Sequence, residues 1–578
     1  MLRKRFNLPL THTLPDADAL DIPSIARELP TTQKKVFRFF FVIFCTTLLL
    51  IVLGINKKFL VEIPTYGGSF TEGVVGRPGF INPVIALSRT DADLAQLIYS
   101  GLFRPLPDGS LALDLASKYT VSDDGITYTV TLSDNAYFHD GAPVTADDVI
   151  FTIGKIKDPL LKSPLRASWD GVAIEKIDDK TIAFTLAQAY AIFLENLTVG
   201  IVPKHIWENF TAEDFMNSTY NGSPIGSGPY KIKNIKRNRS GAAEYYDLAA
   251  FKDFILGEPY IDTVRVVFFP DEESLLRAHE NGDIDTVGGI PPLWASAESR
   301  KKLTNSFPLA RIFAVFLNQN EAQIFTHTEV REALEKAVDR QKIIAEVLGG
   351  YGHEIKGPIP NGIIENDLLM TPVDKEGAKQ ILIDRGWKLN ENGVFEKETK
   401  GKKEALAFSL STANVPELKK VAEMVKKDWE DIGARVELIT FDAGDLNQEV
   451  IRPRKYHALL FGEVVGRNPD LYAFWHSSQR LDPGLNVAQY ANITADKLLE
   501  KTRNIEDRME RLLAYKELGA EMEKDIPAIF LYSPHYIYIQ PKTIQNIIPF
   551  SLTNNADRFI TIHTWFIRTD TVWKIFAD

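Results

Sequence analysis

Residues 98–151 read IYSGLFRPLPDGSLALDLASKYTVSDDGITYTVTLSDNAYFHDGAPVTADDVIF, and the pattern in this stretch decides the fold. Over residues 126–132, isoleucine, tyrosine, valine and leucine alternate with threonines, a period of two that predicts a strand with one buried face. Asp-Asp-Gly at 123–125 supplies the turn before that strand. Thr145, with a carboxylate three residues later, is typical of a helix N-cap, so a helix should begin at Ala146.

The order of these pieces resembles the signature region of family 5 extracellular solute-binding proteins, the peptide-binding subunits of ABC importers. The resemblance continues along almost all of the chain past Gly67. The further matching segments are PIGSGPY at 224–230, FLN at 316–318, VREA at 330–333 with VDR at 338–340, AKQILIDRGW at 378–387, and DIP at 525–527 with LY at 531–532. Because the matches follow the family's order, together they are a far more specific signal than any one alone.

The resemblance implies an α/β fold of the periplasmic-binding-protein type, with two lobes, a hinge and an extra subdomain. It assigns residues 60–91, 200–310 and 528–578 to a core lobe, 92–199 to the extra subdomain and 311–527 to a second lobe. The length of the chain also predicts more than one domain, because 578 residues are too many for a single hydrophobic core.

Beyond residue 311 the residue pattern itself predicts alternating strands and long helices. A strand at 405–410, a helix at 416–432 and a strand at 434–440 form a βαβ unit, which implies a mixed or parallel sheet covered on both faces. The other predicted elements are a strand at 68–75, a helix opened by a capping box at 90–93, a hairpin at 172–186, a strand at 263–269, a helix at 272–280 and a short strand at 283–285.

An apolar segment near the N-terminus predicts a membrane anchor. Residues 39–55, with two more apolar residues just upstream, reach about 20 residues and span about 30 Å as a helix, which is enough to cross a bilayer. Seven Lys and Arg precede the segment and two follow it, so residues 1–35 should form a cytoplasmic tail, 36–58 a transmembrane signal anchor, and the bulk of the chain should be extracytoplasmic. A cleavable signal peptide is the alternative, but residues 56–59 offer no small-x-small cleavage site.

The charge of the chain argues against nucleic acid as a partner. Residues 1–58 carry nine Lys and Arg against four Asp and Glu, a net charge of +5. Because the whole chain has a net charge of −11, the rest of the chain carries −16. A part this acidic does not suit a polyphosphate ligand. The single cysteine allows no intramolecular disulfide, and we expect a monomer.

The sequence contains no recognised catalytic constellation. None of the ten histidines forms H-E-x-x-H or another close metal pair, Gly-Ser-Gly at 226–228 is not a nucleophile elbow, and the glycine-rich nucleotide motifs do not occur. We therefore predict a protein that is not an enzyme, with no catalytic residues, no metal site and no cofactor.

The resemblance implies a ligand held between the strand at 68–75, the strand at 312–318 and the loop at 461–475. The candidate ligand-binding residues are Glu72, Phe316, Asn318, Glu463, Val465, Arg467, Asn468 and Trp475. Peptide binders of this family typically hold the ligand's α-ammonium with an aspartate four residues before the loop proline, and that position is Val465 here. We therefore expect either a ligand with no free α-amine or one whose amine meets Glu72 or Glu463.

The sequence is thus interpreted as a membrane-anchored, extracytoplasmic solute-binding protein that delivers peptides or peptide-like ligands to ABC permease subunits. Two alternatives remain open. One is a sensor whose cytoplasmic tail reports ligand occupancy across the membrane. The other is a cell-surface hydrolase built on a binding-protein fold.

Overall fold

The computed structural model describes residues 30–298, 303–360, 363, 372–399 and 401–576. Residues 1–29 of the predicted cytoplasmic tail lie outside this range. The chain divides into two compact units. We call Met1–Pro64 with Thr569–Asp578 the anchor unit, and Thr65–Arg568 the main unit.

The strands are β1 (Leu60–Thr65), β2 (Ser69–Val75), β3 (Phe103–Pro105), β4 (Leu111–Leu113), β5 (Ala116–Val121), β6 (Thr127–Leu132), β7 (Ala173–Lys176), β8 (Thr181–Thr185), β9 (Tyr230–Arg237), β10 (Ala243–Ala250), β11 (Thr263–Phe269), β12 (Thr286–Gly288), β13 (Leu303–Pro308), β14 (Arg311–Leu317), β15 (Gly352–Glu354), β16 (Lys388–Leu389), β17 (Phe395–Thr399), β18 (Lys402–Ala405), β19 (Ala407–Ala413), β20 (Arg435–Phe441), β21 (Ala458–Val464), β22 (Ala528–Gln540) and β23 (Arg568–Trp573).

The α-helices are α1 (Thr31–Phe59), α2 (Arg89–Ile98), α3 (Ala146–Lys157), α4 (Lys204–Trp207), α5 (Ala212–Asn217), α6 (Glu272–Asn281), α7 (Pro292–Glu298), α8 (Thr328–Ala337), α9 (Arg340–Leu348), α10 (Lys375–Asp384), α11 (Pro416–Asp431), α12 (Ala443–Asp445), α13 (Tyr472–Trp475), α14 (Ile493–Asn504) and α15 (Arg508–Asp525). Short 3-10 helices span Arg166–Trp169, Ala191–Thr198, Thr219–Asn221, Gln323–Thr326, Ser477–Gln479, Asn555–Phe559, Ile562–Thr564 and Lys574–Phe576, and a π-helix spans Leu446–Ile451.

A mixed sheet of 12 strands runs through the main unit in the order β20-β19-β21-β14-β22-β12-β2-β11-β10-β9, with β13 and β15 also paired with β22. The middle strand, β22, connects two halves of this sheet. Its beginning, Ala528–Tyr532, pairs with β14, and its end pairs with β13 and β12. The expected boundary between second lobe and core lobe therefore falls at the start of a strand that both halves share.

One backbone and one side-chain hydrogen bond hold the crossing point of the two halves. The Leu309 N–H donates to the Pro534 carbonyl at 3.0 Å, and the Ser533 hydroxyl donates to the Leu309 carbonyl at 3.0 Å. At this point β22 and the segment between β13 and β14 connect the two halves.

In the half that contains β14, apolar residues cover both faces of the sheet. Ala314 and Phe316 belong to one buried cluster, and Val315 and Leu317 belong to another on the opposite face. The predicted βαβ unit is present: β19 and β20 are parallel and α11 connects them. The strands start one or two residues later than predicted. The second half of β19 is buried on both faces, whereas β20, at the edge of the sheet, exposes Arg435, Glu437 and Thr440.

The stretch at residues 98–151 folds as predicted. In β6, Tyr128, Val130 and Leu132 are buried, and β6 lies in a four-stranded sheet in the order β5-β6-β8-β7. Helix α3 begins at Ala146, where the Thr145 N–H and hydroxyl donate to the Asp148 carboxylate at 2.8 and 2.7 Å.

Two local predictions were wrong. Helix α2 is capped by Ser88, which accepts from the Asp91 N–H, and not by Thr90, whose hydroxyl donates to the Val75 carbonyl. The short strand predicted at 283–285 begins three residues later, as β12. At Asp285 the carboxylate, and not a backbone carbonyl, accepts from the Thr71 N–H at 2.8 Å, so regular pairing with β2 begins at Thr286.

Candidate functional site

A cavity of about 340 Å³ opens in the main unit. Its walls include β3 and the 3-10 helix Ala191–Thr198, the 3-10 helix Asn555–Phe559, and Arg467 from the loop after β21. By the expected boundaries, these parts come from the extra subdomain, the core lobe and the second lobe. A concave site built from distant parts of the chain is the usual form of a ligand pocket.

Arg467 closes this cavity through an ion pair. Its Nη1 lies 3.0 Å from Oδ2 of Asp557, and both side chains are buried. The Arg467 N–H donates to the Thr553 hydroxyl at 3.0 Å. Asp557 also accepts from the backbone N–H of Thr553 and of Asn554. The loop after β21 is therefore held against the segment around Asp557.

Helix α15 supports the same loop from behind. Nη2 of Arg511 donates to the Asn468 side-chain oxygen at 2.7 Å, and the Tyr515 hydroxyl donates to the Pro469 carbonyl at 2.7 Å. The side-chain oxygen of Asn468 is thus already hydrogen-bonded within the protein. Asp470, which follows Pro469, accepts from the hydroxyl of Tyr190 at 3.2 Å. This hydrogen bond joins the loop to the extra subdomain.

Glu195 is a cavity residue that the sequence analysis missed. Its Oε1 atom is inaccessible to solvent and finds no hydrogen-bond partner among the described residues. Burial raises the pKa of Glu195, and the Arg467 guanidinium opposes that rise. The available signal was one carboxylate inside the apolar run AIFLENL, which was interpreted only as part of the subdomain.

A second charged pair, Asp114 and Arg104, lines another wall of the cavity. Burial raises the pKa of Asp114 to about 7, and the nearby positive charge of Arg104 limits the rise. The Asp114 Oδ1 and the Arg104 Nε atoms are buried without hydrogen-bond partners in the described part of the chain. The cavity therefore presents unsatisfied groups of both signs to a ligand.

Glu72 lies in a different place. Its buried carboxylate forms an ion pair with Arg558 at 2.9 Å and accepts hydrogen bonds from the hydroxyls of Tyr538 and Thr286. Arg558 also pairs with the buried Asp93 at 2.8 Å. Glu72 does not line the 340 Å³ cavity, because this network holds its carboxylate inside the core.

Phe316, Asn318 and Trp475 lie inside the half of the sheet that contains β14. The Phe316 and Trp475 rings are 5.9 Å apart in one buried cluster. The Asn318 side-chain nitrogen donates to the Arg454 carbonyl at 2.9 Å. None of these three lines the cavity. Apolar packing and a satisfied amide hold them in the core.

Glu463 and Val465 are also buried on the face of that cluster. Burial raises the pKa of Glu463 well above its ordinary value, and neither carboxylate oxygen finds a hydrogen-bond partner among the described residues. The Val465 N–H donates to the Ala310 carbonyl at 2.9 Å. Of the eight predicted residues, Arg467 lines the cavity and the other seven do not. As ligand contacts, all eight stay predictions.

A model of "Bacterial extracellular solute-binding proteins, family 5 Middle" matches residues 110–482. The chain belongs to this family. It is 29% identical over 495 residues to the oligopeptide-binding protein AppA of Bacillus subtilis (strain 168), a match that covers 83% of this chain and 89% of that protein.

Solved structures of family members agree with the fold. The structure of Bacillus subtilis AppA in complex with a nonapeptide matches with a TM-score of 0.65 and 27% identity, over 88% of this chain and all of that one. The ABC transporter substrate-binding protein CtaP of Listeria monocytogenes matches with a TM-score of 0.71 and 27% identity, over 87% of this chain and all of that one. The predicted α/β fold of the periplasmic-binding-protein type is confirmed. The boundaries of the lobes and of the extra subdomain stay predictions.

The family is one of solute-binding proteins, and the relatives named above are binding proteins. The N-terminal segment agrees with an extracytoplasmic family of this kind. Within the described residues, one helix is long and apolar enough to cross a membrane, over Lys34–Phe59. Its composition suits either a membrane anchor or a signal sequence.

Proposed function

We propose that this protein binds peptides of a few residues in the cavity closed by Arg467, and that it delivers them to ABC permease subunits. The observation that carries the proposal is the buried Arg467–Asp557 pair, which links the loop after β21 to the opposite wall of the cavity. AppA of Bacillus subtilis is an oligopeptide-binding protein whose structure was solved in complex with a nonapeptide, which supports a peptide as ligand here.

The size of the cavity favours a short ligand in this closed arrangement. Small-molecule pockets in proteins are about 300–1,000 Å³, and 340 Å³ lies at the lower end of that range. It corresponds to roughly eleven water molecules at about 30 Å³ each. A longer peptide would need the cleft to close less far.

The charges around the cavity favour a ligand that carries both signs. Glu195 offers an unpartnered carboxylate oxygen, and Arg104 an unpartnered N–H. We therefore place the ligand's ammonium group at Glu195, in preference to Glu72, whose carboxylate is already paired, and to Glu463, which does not line the cavity.

Closure follows from contacts that the ligand makes with both sides of the cleft. A ligand shifts the protein toward the closed form only by the difference between its affinities for the closed and open forms. In this proposal the backbone at Leu309 and Ser533 is the hinge. The Arg467–Asp557 ion pair helps to hold the cleft shut.

We further propose that α1 is an uncleaved, single-pass anchor with a cytoplasmic N-terminus. The excess of Lys and Arg before the helix supports this orientation. The main unit then stands outside the membrane, where a solute-binding protein meets its ligand.

Native mass spectrometry of the full-length protein, purified in detergent without refolding, tests the proposal. We expect an added mass that fragments as a peptide of a few residues. Arg467→Ala should lose most of this added mass, whereas Arg452→Ala, an exposed arginine of the same lobe, should keep it. A wild-type protein that carries no peptide and captures none from a mixture of random tetrapeptides would contradict the proposal.

A further inference from the structure

The end of the chain returns to the end of the membrane helix. In the anchor unit, β1 follows directly after α1 and pairs with β23, the last strand. The indole N–H of Trp573, the last residue of β23, donates to the Asn56 side-chain oxygen at 2.7 Å. Asn56 lies in the last turn of α1, so the C-terminal segment is fastened where the helix ends.

The residues fastened there expose large apolar side chains. Trp573 is 45% exposed, and in the 3-10 helix that follows it Ile575 and Phe576 are 72% and 71% exposed. Phe59, the last residue of α1, is 46% exposed. Exposed apolar side chains grouped together at one place mark a surface that something else covers.

The position of this group along the helix identifies what covers it. The candidate span Lys34–Phe59 has 26 residues, which is about 39 Å of helix and longer than the hydrocarbon core of about 30 Å. The apolar run ends at Ile55, so Asn56 stands at the level where hydrocarbon gives way to headgroups. Trp573, bonded to Asn56, stands at the same level.

The chemistry of the group also fits that level. Trp573 is accompanied by Lys57 and Lys58 at the end of α1 and by Lys574 in its own segment. Tryptophan is enriched at the membrane–water interface, because its ring is apolar and its N–H is polar. Lysines beside it can meet the phosphates of anionic lipids.

We propose that Trp573, Ile575 and Phe576 insert into the headgroup layer of the outer leaflet beside the end of α1. This inference rests on the proposed membrane anchor. It makes the C-terminal segment a second membrane contact, so that both connections to the main unit, through β1 and through β23, start from the membrane surface.

Depth-dependent fluorescence quenching tests this proposal on the full-length protein in vesicles of phosphatidylcholine and phosphatidylglycerol. Ile575→Cys in a Cys45→Ser background is labelled with the fluorophore NBD, and the vesicles contain lipids spin-labelled near the headgroup or deep in the chain. The native Cys45, in the middle of α1 and the single cysteine of the sequence, serves as the matched depth reference when labelled in the wild type.

We expect the probe at 575 to be quenched at least twofold more by the shallow label than by the deep one, and the probe at Cys45 to show the reverse. Adding Trp573→Ala should reduce quenching at 575 at least threefold. A probe at Cys45 that is quenched while the probe at 575 is not would overturn this proposal and leave the anchor standing.

Two further outcomes would also overturn it. A vesicle-bound fraction that lacks residues 1–55 by mass would remove the anchor, and this proposal with it. Shielding of the 575 probe that grows with the ratio of protein to lipid, without quenching by either lipid, would assign the surface to a second copy of the chain.

Discussion

Arg467 and Asp557 are 90 residues apart in the sequence, and their side chains meet at 3.0 Å across the mouth of the cavity. Because Asp557 also accepts two backbone N–H groups, it stays hydrogen-bonded when the arginine leaves. The ion pair can therefore break while the segment around Asp557 keeps its structure.

Removing Arg467 should shift the ligand-free protein toward an open form. A hydrogen bond to a charged group is worth about 1.5 to 3 kcal/mol, and Arg467→Ala removes that contribution from the closed form only. We expect a larger radius of gyration by small-angle X-ray scattering. Arg452→Ala, in an exposed pair with Asp482, should leave the radius unchanged. An Arg467→Ala protein as compact as the wild type would show that the pair does not control closure.

Glu463 should make the protein less stable as the pH rises. Burial raises the pKa of Glu463 in the folded state above its value in the unfolded chain, so the folded state binds more protons between the two pKa values. The free energy of unfolding then falls by up to about 1.4 kcal/mol per pH unit from about pH 4.5 upward.

Glu463→Gln keeps the shape of the side chain and removes this titration. Urea unfolding at pH 5, 6, 7 and 8 measures the free energy of unfolding, which should depend less on pH in the variant than in the wild type. The variant should therefore become more stable relative to the wild type as the pH rises. The exposed Glu423→Gln is the control and should follow the wild type. Parallel curves for all three proteins would place the charge of Glu463 in a solvated environment.

Asp114 should make ligand binding depend on pH near neutrality. Its pKa of about 7 means that its carboxyl group is mostly neutral at pH 6 and mostly ionised at pH 8. A ligand with a cationic group should bind more tightly as the carboxylate forms, so affinity should rise from pH 6 to pH 8. Calorimetry with the ligand recovered from the protein measures this, and Asp114→Asn should remove the rise. If the affinity of the variant rises as much as that of the wild type, a group other than Asp114 causes the pH dependence.

Glu195 should distinguish a free amine from a blocked one. If the ligand's ammonium meets this carboxylate, N-acetylation of the peptide and Glu195→Gln should each lower affinity at least tenfold, or about 1.4 kcal/mol. The two changes together should cost little more than one, because they remove the same contact. Glu463→Gln serves as the buried control. Equal affinity for free and acetylated peptide would instead favour a ligand without a free α-amine.

The anchor should keep the full-length protein in the membrane. Alkaline carbonate strips proteins held by charge alone and leaves helices that span the bilayer, so the protein should stay in the pellet with an intact N-terminus. Added protease should digest the main unit from outside the cell. A soluble product that begins near residues 56–65 would identify a cleaved signal sequence.

Local elements were predictable from the sequence, because their signals lie within a few residues of one another. The alternation at 126–132 marks β6, and Thr145 with Asp148 marks the start of α3. At the start of α2, the local pattern allows either Ser88 or Thr90 as the N-cap residue. Ser88 is the cap, because the Thr90 hydroxyl donates to the carbonyl of the distant Val75, and the local pattern does not contain that contact.

The site was less predictable, because its contacts join distant residues. Glu72 was predicted as a ligand residue from its strand, and no local pattern could show that the fold brings Arg558 to its carboxylate from 486 residues away. Glu195 gave only a weak signal, since a single acid in an apolar run shows its role only when the rest of the cavity surrounds it. Arg467, which was predicted from the loop at 461–475, does line the cavity.

The 13 residues of β22 have a consequence for how such proteins can be recombined. Because one strand completes both halves of the large sheet, neither half is a module that can be exchanged between relatives by cutting the chain at a loop. A chimera joined between Tyr532 and Ser533 would have to match its strand register on both sides at once. Changes of ligand in this family should therefore accumulate as substitutions in the loops and short helices around the cleft, while the halves are inherited together.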